Sequence, residues 1–260
     1  MGMPFPALHA LVFARRTARH GPALCTRCAS YIVTVSTRRF AVLDCEDAPR
    51  WAGHDQNWID LLRREGDLWH SFPVWAGELP AHPGAYDGYV LTGSHHSVND
   101  ATQTWLAPLF EFVAATARAP DARLFGACFG LQVIATALGG KVEANPSGRF
   151  VFGSERIAVD GGNALTLLES HGEQATRLPP GARRLAGSPT AENEMFSVGD
   201  RVLAVQFHAE FTPAMLREKI LPRLRDEAIL TAEEEARGLA SLDAPLDSAH
   251  FIAVIRRFLG

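Results

Sequence analysis

The chain has 260 residues, of which 47% are hydrophobic and 21% are charged, and its formal net charge at pH 7 is −4. This composition is typical of a globular chain that is long enough to bury a sizeable core in one domain. The slightly acidic balance, without a basic stripe, argues against nucleic acid as a partner. No apolar run approaches the roughly 20 residues that a membrane span requires, so we expect no membrane partner either.

Four cysteines are scattered along the chain, at Cys25, Cys28, Cys45 and Cys128. They do not form the dense pattern of a disulfide-stapled domain, so we expect a reducing compartment, the cytosol. Cys25 and Cys28 form a C-x-x-C motif with His20 nearby, but a structural zinc site needs four ligands and the sequence shows no second pair. We therefore expect neither a metal ion nor a cofactor.

The N-terminal segment differs in composition from the rest of the chain. The first 43 residues contain no Asp or Glu and carry six arginines. This pattern predicts a transit peptide to a plastid or mitochondrion, with a disordered tail or an upstream start codon as the alternatives. We treat residues 1–38 as an N-terminal extension and residues 39–260 as one domain.

From Arg39 onward the sequence alternates between strand-like and helix-like runs. The strand-like runs of the first half are "RRFAVLDCED", "LWHSFPVW", "YDGYVLTGS" and "RLFGAC". The helix-like runs that lie between or after them are "NWIDLLRREG", "TWLAPLFEFVAATARA" and "LQVIATALGG". Their apolar residues recur at helical spacing, and a glycine pair closes the last run, as glycine often closes a helix.

The second half is richer in short strands. "RIAVD", "ALTLL", "RRLAGS" and "MFSVGDRVLAVQFH" are strand-like runs joined by Gly- and Pro-rich turns, and the tail from Pro213 onward is mostly helical. No repeat or low-complexity linker divides the chain. Strands that alternate with helices predict a three-layer α/β fold around a largely parallel sheet.

Cys128 lies at the predicted junction of a strand and a helix, between Gly126 and Gly130. A tight strand–turn–helix elbow lifts a side chain out of the sheet and aims the positive end of the helix at it. A cysteine in that position has a lowered pKa and more thiolate at neutral pH. The pattern favours a nucleophile over the plain alternative, a small buried core residue.

A cysteine nucleophile also needs a base and a group that orients the base. His208 and Glu210 follow directly after the apolar run "RVLAVQF". Residues i and i+2 of a strand project to the same face, so the two side chains are expected to lie side by side at the strand end.

An oxyanion hole would complete the site. The backbone N–H of Phe129, which follows the nucleophile, is one natural donor. A second donor is the N–H of Gly93, in the "LTGS" turn at the end of the third strand. The alternative for Gly93 is a turn residue without a catalytic role.

"GACFGLQ" and "QFHAEF" together resemble the signature of the class I, or triad, glutamine amidotransferase-like proteins. Within that group, "YDGYVLTGS" and "NEMFSV" are most similar to the stand-alone γ-glutamyl peptidases of plants, which act on glutathione and its conjugates. The resemblance covers the chain from about Arg39 to its end. It implies a flavodoxin-like core and a triad of Cys128, His208 and Glu210.

The same resemblance implies a pocket for the γ-glutamyl group around Gly93. Its side chains would come from Ser94, Gln132, Ser170 and His171, the last two within "ESHGEQ". The sequence departs from the family at two points. Leu131 replaces a frequent histidine, and Ala209 replaces the proline of the usual His-Pro-Glu, which loosens the turn but keeps both functional side chains.

This family chemistry leaves two substrates open. The first hypothesis is a γ-glutamyl peptidase that hydrolyses glutathione or its conjugates through a γ-glutamyl thioester. The alternative is a glutaminase subunit that supplies ammonia to a separate synthase partner. A third hypothesis, a non-catalytic binding module, is disfavoured by the intact Cys–His–Glu set. Because one domain accounts for residues 39–260, without room for a synthase, we expect the free-standing peptidase.

Overall fold

The structure is a computed structural model that describes residues 37–260. Eleven strands lie in this part of the chain. They are β1 (Arg39–Asp44), β2 (Leu68–Pro73), β3 (Gly88–Leu91), β4 (Arg123–Ala127), β5 (Lys141–Ala144), β6 (Val151–Val159), β7 (Leu165–His171), β8 (Glu173–Arg177), β9 (Ala182–Gly187), β10 (Met195–Val198) and β11 (Val202–Val205).

The helices of the described residues are α1 (His54–Leu62), α2 (Leu106–Arg118), α3 (Phe129–Ala137), α4 (Pro213–Met215), α5 (Leu221–Asp226), α6 (Ala232–Ser241) and α7 (Ser248–Leu259). A π-helical turn, Leu216–Ile220, joins α4 to α5, and short 3-10 turns lie at Pro49–Trp51 and Val74–Ala76. Within residues 37–260, no helix combines the length and the apolar character needed to cross a membrane.

Nine strands form one sheet in the order β2-β1-β3-β4-β11-β10-β9-β6-β7. The strands from β2 to β11 in this order are parallel, and the remaining four continue the sheet in antiparallel fashion. The predicted α/β fold with its parallel core is confirmed. The short strands β5 and β8, which the sequence pattern did not predict, form a separate antiparallel pair.

Helices cover both faces of the parallel core because its strands are apolar on both sides. In β1, Phe40 and Val42 belong to a core cluster with residues of α1 and α7. The alternate residues Ala41 and Leu43 belong to the opposite cluster, with residues of α2 and α3. This alternation gives the three layers. Because β1, β3, β4 and β11 are parallel, their carboxyl ends lie at one edge of the sheet.

The first described residues lie close to the C-terminal helix α7. The guanidinium of Arg38 donates to the carbonyl oxygen of Leu259 at 3.0 Å, and the carbonyl oxygen of Arg38 accepts from Leu68 at 2.8 Å. The C-x-x-C motif and all but the last two residues of the predicted extension 1–38, with its transit peptide, lie outside the described residues.

Candidate active site

The junction between β4 and α3 is a tight elbow with Cys128 at its corner. Cys128 has φ 52° and ψ −107°, a backbone conformation that residues other than glycine rarely adopt. A Cβ on Gly126 would lie 2.6 Å from the carbonyl oxygen of Gly130, and one on Gly130 would lie 2.6 Å from that of Leu91. Helix and strands therefore approach at distances that only glycine allows, and Cys128 carries backbone strain of the kind found at functional sites.

His208 and Glu210 meet as predicted, although not for the predicted reason. Strand β11 ends at Val205, so the pair does not lie on a regular strand. Instead, a single antiparallel bridge holds His208, whose N–H donates to the carbonyl oxygen of Leu168 at 2.8 Å. Nδ1 of His208 then lies 2.8 Å from Oε1 of Glu210.

Two further aromatic residues hold this pair. The His208 ring is stacked on Phe211, with centroids 3.8 Å apart and planes inclined by 3°. His54, which the sequence analysis did not single out, places Nε2 3.6 Å from Oε1 of Glu210. Burial alone would raise the pKa of Glu210, but the charge and hydrogen bond of His208, together with His54, lower it to about 2.

Gly93 lies next to both Cys128 and His208. A Cβ on Gly93 would lie 3.0 Å from Cε1 of His208 and 3.8 Å from Cβ of Cys128. The space beside Gly93 is thus bounded by both side chains. The backbone N–H of Phe129 interacts with the sulfur of Cys128 and acts to lower the pKa of this thiol.

The expected low pKa of Cys128 is wrong, because the residue is 5% exposed. Burial raises the pKa of its thiol well above the ordinary value, and the negative charges of Glu169 and Glu210 add to the increase. The Phe129 N–H and Gln206, whose Nε2 donates to the sulfur at 3.5 Å, do not outweigh burial. The resting form is therefore a thiol, which must lose its proton during the reaction.

Most of the predicted site residues line one cavity of about 290 Å³. They are Gly93, Ser94, Cys128, Gln132, Ser170, His171 and His208. Of the remaining two, Phe129 is 1% exposed and Glu210 is 3% exposed, and neither lines the cavity. Glu210 therefore lies behind the lining, next to His208 and His54, which both line the cavity.

The backbone of one residue positions two of the predicted binding side chains. The carbonyl oxygen of Glu173 accepts from Nε2 of Gln132 at 2.9 Å, and it lies 3.0 Å from Nδ1 of His171. The sulfur of Cys128 also lies 3.8 Å from the carbonyl oxygen of Ser170. The segment of residues 170–173, where β7 ends and β8 begins, thus forms a wall of the cavity next to the elbow.

Two buried acids behind this wall were missed by the sequence analysis. Glu169 and Glu194 are both fully buried, and burial raises the pKa of each carboxyl well above its ordinary value. Both Glu169 oxygens and Oε2 of Glu194 have no hydrogen-bond donor among the described residues. The two carboxyls interact with each other, so a proton shared between them would join one oxygen of each. Oε2 of Glu169 also lies 3.4 Å from Nε2 of His171.

The mouth of the cavity carries cationic side chains that the sequence analysis did not identify. Arg50, Lys219 and Arg223 all line it. Arg223 forms a bidentate ion pair with Glu227, at 2.8 and 2.9 Å. Within residues 37–260, no carboxylate forms a salt bridge with Arg50 or Lys219, and Nζ of Lys219 lies 4.9 Å from the centroid of the Trp51 ring.

Comparison with known proteins identifies the family to which this chain belongs. The class-I glutamine amidotransferase family model matches residues 81–225. The chain is 31% identical to γ-glutamyl peptidase 4 of Arabidopsis thaliana over 191 residues, which is 68% of this chain and 75% of that protein. It is also 27% identical to a GMP synthase of Legionella pneumophila, over 66% of this chain and 38% of the synthase.

The fold agrees with this match. A crystal structure of a glutamine amidotransferase from Thermotoga maritima superposes with a TM-score of 0.68 at 19% identity, covering 86% of this chain and 96% of that one. The mostly parallel sheet with its strand–helix elbow is the mixed α/β fold of the glutamine amidotransferases. The chain belongs to the class-I glutamine amidotransferase family.

Proposed function

We propose that this protein is a γ-glutamyl peptidase that hydrolyses the γ-glutamyl amide bond of glutathione or its S-conjugates. The observation that carries the proposal is the convergence of Cys128 and His208 beside Gly93 in one cavity, with Glu210 held behind the histidine. This arrangement provides a nucleophile, a base and a group that orients the base.

In the first half of the reaction, Nε2 of His208 takes the proton of the Cys128 thiol as the sulfur attacks the γ-carbonyl carbon. The oxyanion that forms accepts hydrogen bonds from the N–H groups of Phe129 and Gly93. His208 then donates its proton to the leaving amine, the C–N bond breaks, and a γ-glutamyl thioester remains on Cys128.

In the second half, His208 removes a proton from a water molecule, which attacks the thioester carbonyl. The C–S bond breaks, the sulfur regains the proton, and free glutamate leaves. Glu210 remains ionised throughout, which its pKa of about 2 supports. Its role is to keep the Nδ1 proton of His208 in place and to stabilise the imidazolium.

The substrate assignment depends on the cavity and on the relatives. Ser94, Gln132, Ser170 and His171 surround Cys128 and would hold the glutamyl group. A peptide that continues past the scissile bond, such as glutathione, carries a further carboxylate, which Arg50 and Lys219 at the mouth would attract. Glutamine ends at the scissile amide and lacks this further carboxylate. The likeness to a γ-glutamyl peptidase points the same way.

The second candidate is a glutaminase that transfers ammonia to a separate synthase, and the likeness to a GMP synthase favours it. That relative is a longer chain, of which the match spans 38%. Under this hypothesis, the synthase partner orders the oxyanion hole, and hydrolysis is slow without it.

One assay separates the two candidates. Purified protein is offered glutamine, glutathione and a glutathione S-conjugate side by side, with released ammonia and glutamate both measured. We expect kcat/KM for the peptides to exceed that for glutamine by at least about tenfold. Cys128→Ala, which should fold but release neither product, is the blank. Equal or better hydrolysis of glutamine, or activity only with an added synthase, would favour the glutaminase.

A further inference from the structure

A cluster of two histidines and one aspartate lies at the rim of the cavity, outside the proposed catalytic groups. It consists of Asp47, His95 and His96, and one ligand atom from each lies within 4.8 Å of the other two. Asp47 follows β1, and the histidines follow β3, so the cluster joins the loops after two neighbouring parallel strands. Both histidines also line the cavity.

The distances within the cluster match those of a metal centre. Oδ1 of Asp47 lies 3.1 Å from Nε2 of His96 and 3.8 Å from Nε2 of His95. Ligands at about 2.0–2.2 Å around a tetrahedral zinc ion are about 3.4 Å apart, so the two observed distances bracket the required one. The His95 and His96 rings lie with centroids 4.1 Å apart and planes inclined by 34°, so their side-chain torsions must change for both Nε2 atoms to face one ion.

A second observation separates this cluster from an incidental group of surface residues. Nδ1 of His95 lies 2.7 Å from Oε1 of Glu46, and Oε2 of Glu46 accepts from the His95 backbone N–H at 2.9 Å. Glu46 is 7% exposed and also accepts from the N–H of Ala48 through Oε1. A buried carboxylate thus holds one histidine nitrogen and directs the other toward Asp47, as in the carboxylate–histidine pairs that support metal ligands.

We infer that Asp47, His95 and His96 form a binding site for a divalent transition-metal ion of the zinc class. Two imidazoles and one carboxylate are a donor set suited to such ions rather than to calcium or magnesium, which prefer oxygen ligands. Three protein ligands leave one coordination position for water. The bound ion would tie together the loops after β1 and β3 and place a positive charge beside Gly93 and Ser94.

The test measures zinc binding directly and does not depend on the proposed peptidase activity. Three cysteines are first replaced in the full chain, by Cys25→Ser, Cys28→Ser and Cys128→Ala, so that thiolates do not compete for the metal. In this background, calorimetric titration with Zn²⁺ should give one saturable site. His96→Ala and Asp47→Ala should each weaken the affinity by at least about tenfold.

His82→Ala is the matched control, because His82 is exposed and does not line the cavity. It should bind zinc as the background protein does. Zn²⁺ should raise the melting temperature of the background and of His82→Ala, but not of His96→Ala. Co²⁺ in the same site should show ligand-field bands without thiolate charge transfer. Absence of saturable zinc binding, or equal affinity in His96→Ala and His82→Ala, would overturn the inference.

Discussion

Nδ1 of His208 lies 2.8 Å from Oε1 of Glu210, at a place where each residue is only 3% exposed. A buried carboxylate at this distance favours the proton on Nδ1, and in the proposed mechanism Nε2 is then the nitrogen that exchanges protons with Cys128. Glu210 does not line the cavity itself, and its hydrogen bond to His208 is the contact through which the proposed mechanism uses it.

Glu210→Gln should therefore lower kcat far more than it changes KM. The amide has nearly the same shape but can present its NH₂ to Nδ1, which favours the wrong tautomer of His208. We expect a loss of about 10²–10⁴-fold in kcat. Glu65→Gln, at an exposed carboxylate, is the control and should be neutral. A Glu210→Gln enzyme with near-normal kcat would show that the pair has no catalytic role.

The same pair makes stability depend on pH in the acid range. The pKa of Glu210 is about 2 in the folded protein and has an ordinary value of 4.5. A lowered carboxyl pKa stabilises the folded state above the ordinary value, and the gain disappears as the pH falls toward 2. The free energy of unfolding of wild type minus that of Glu210→Gln should fall by roughly 2 kcal/mol between pH 6 and pH 3. Denaturant titrations at both pH values measure it, and a constant difference would contradict the prediction.

The parts of the site predicted from sequence are those that the local chain specifies. Gly126 and Gly130 flank Cys128 within a few residues, and these local motifs predict the elbow. His208 and Glu210 are two residues apart, so their contact is predicted as well. His54 and Glu169 approach from distant segments, and no local pattern marks their contacts. The pKa of Cys128 was predicted in the wrong direction for the same reason, since burial and Glu169 outweigh the local helix N-terminus.

The buried acids should produce the opposite pH dependence. The pKa of Glu194 is raised mainly by burial and next by Glu169. A raised carboxyl pKa lets the folded state hold a proton that the unfolded chain releases, so stability falls as the pH rises above the ordinary carboxyl pKa. Glu194→Gln stays neutral and can still bond to Ser188, which donates to Oε1 of Glu194 at 2.6 Å. The melting temperature of Glu194→Gln minus that of wild type should therefore increase from pH 5 to pH 8. A relative decrease over this range would show that Glu194 is ionised and stabilising.

Alkylation of Cys128 reports whether its thiol is protonated at rest. Because the pKa is raised, the free enzyme should react slowly with iodoacetamide at pH 7, and the rate should keep rising through the alkaline range. Mass spectrometry of the peptide that contains Cys128 separates this reaction from those of the other cysteines. A rate that reaches its plateau below pH 7 would instead reveal a preformed thiolate–imidazolium pair.

Gly93→Ala tests the close approach on which the site depends. The new methyl group would lie 3.0 Å from Cε1 of His208, so the ring must move by a few tenths of an ångström and loses its alignment with Cys128. We expect kcat to fall on the order of tenfold to a hundredfold, since small misplacements of a catalytic group have effects of this size.

Gly84→Ala is the matched control for this substitution. Gly84 is exposed, has no positive φ, and a Cβ there would meet only the His82 ring, at an ordinary distance of 3.6 Å. Because the backbone of Gly93 also has no positive φ, both variants should fold, with melting temperatures near that of wild type. Equal kcat for Gly93→Ala and Gly84→Ala would mean that His208 does not act from the position beside Gly93. A loss confined to Gly93→Ala, with folding intact, is the outcome that the geometry requires.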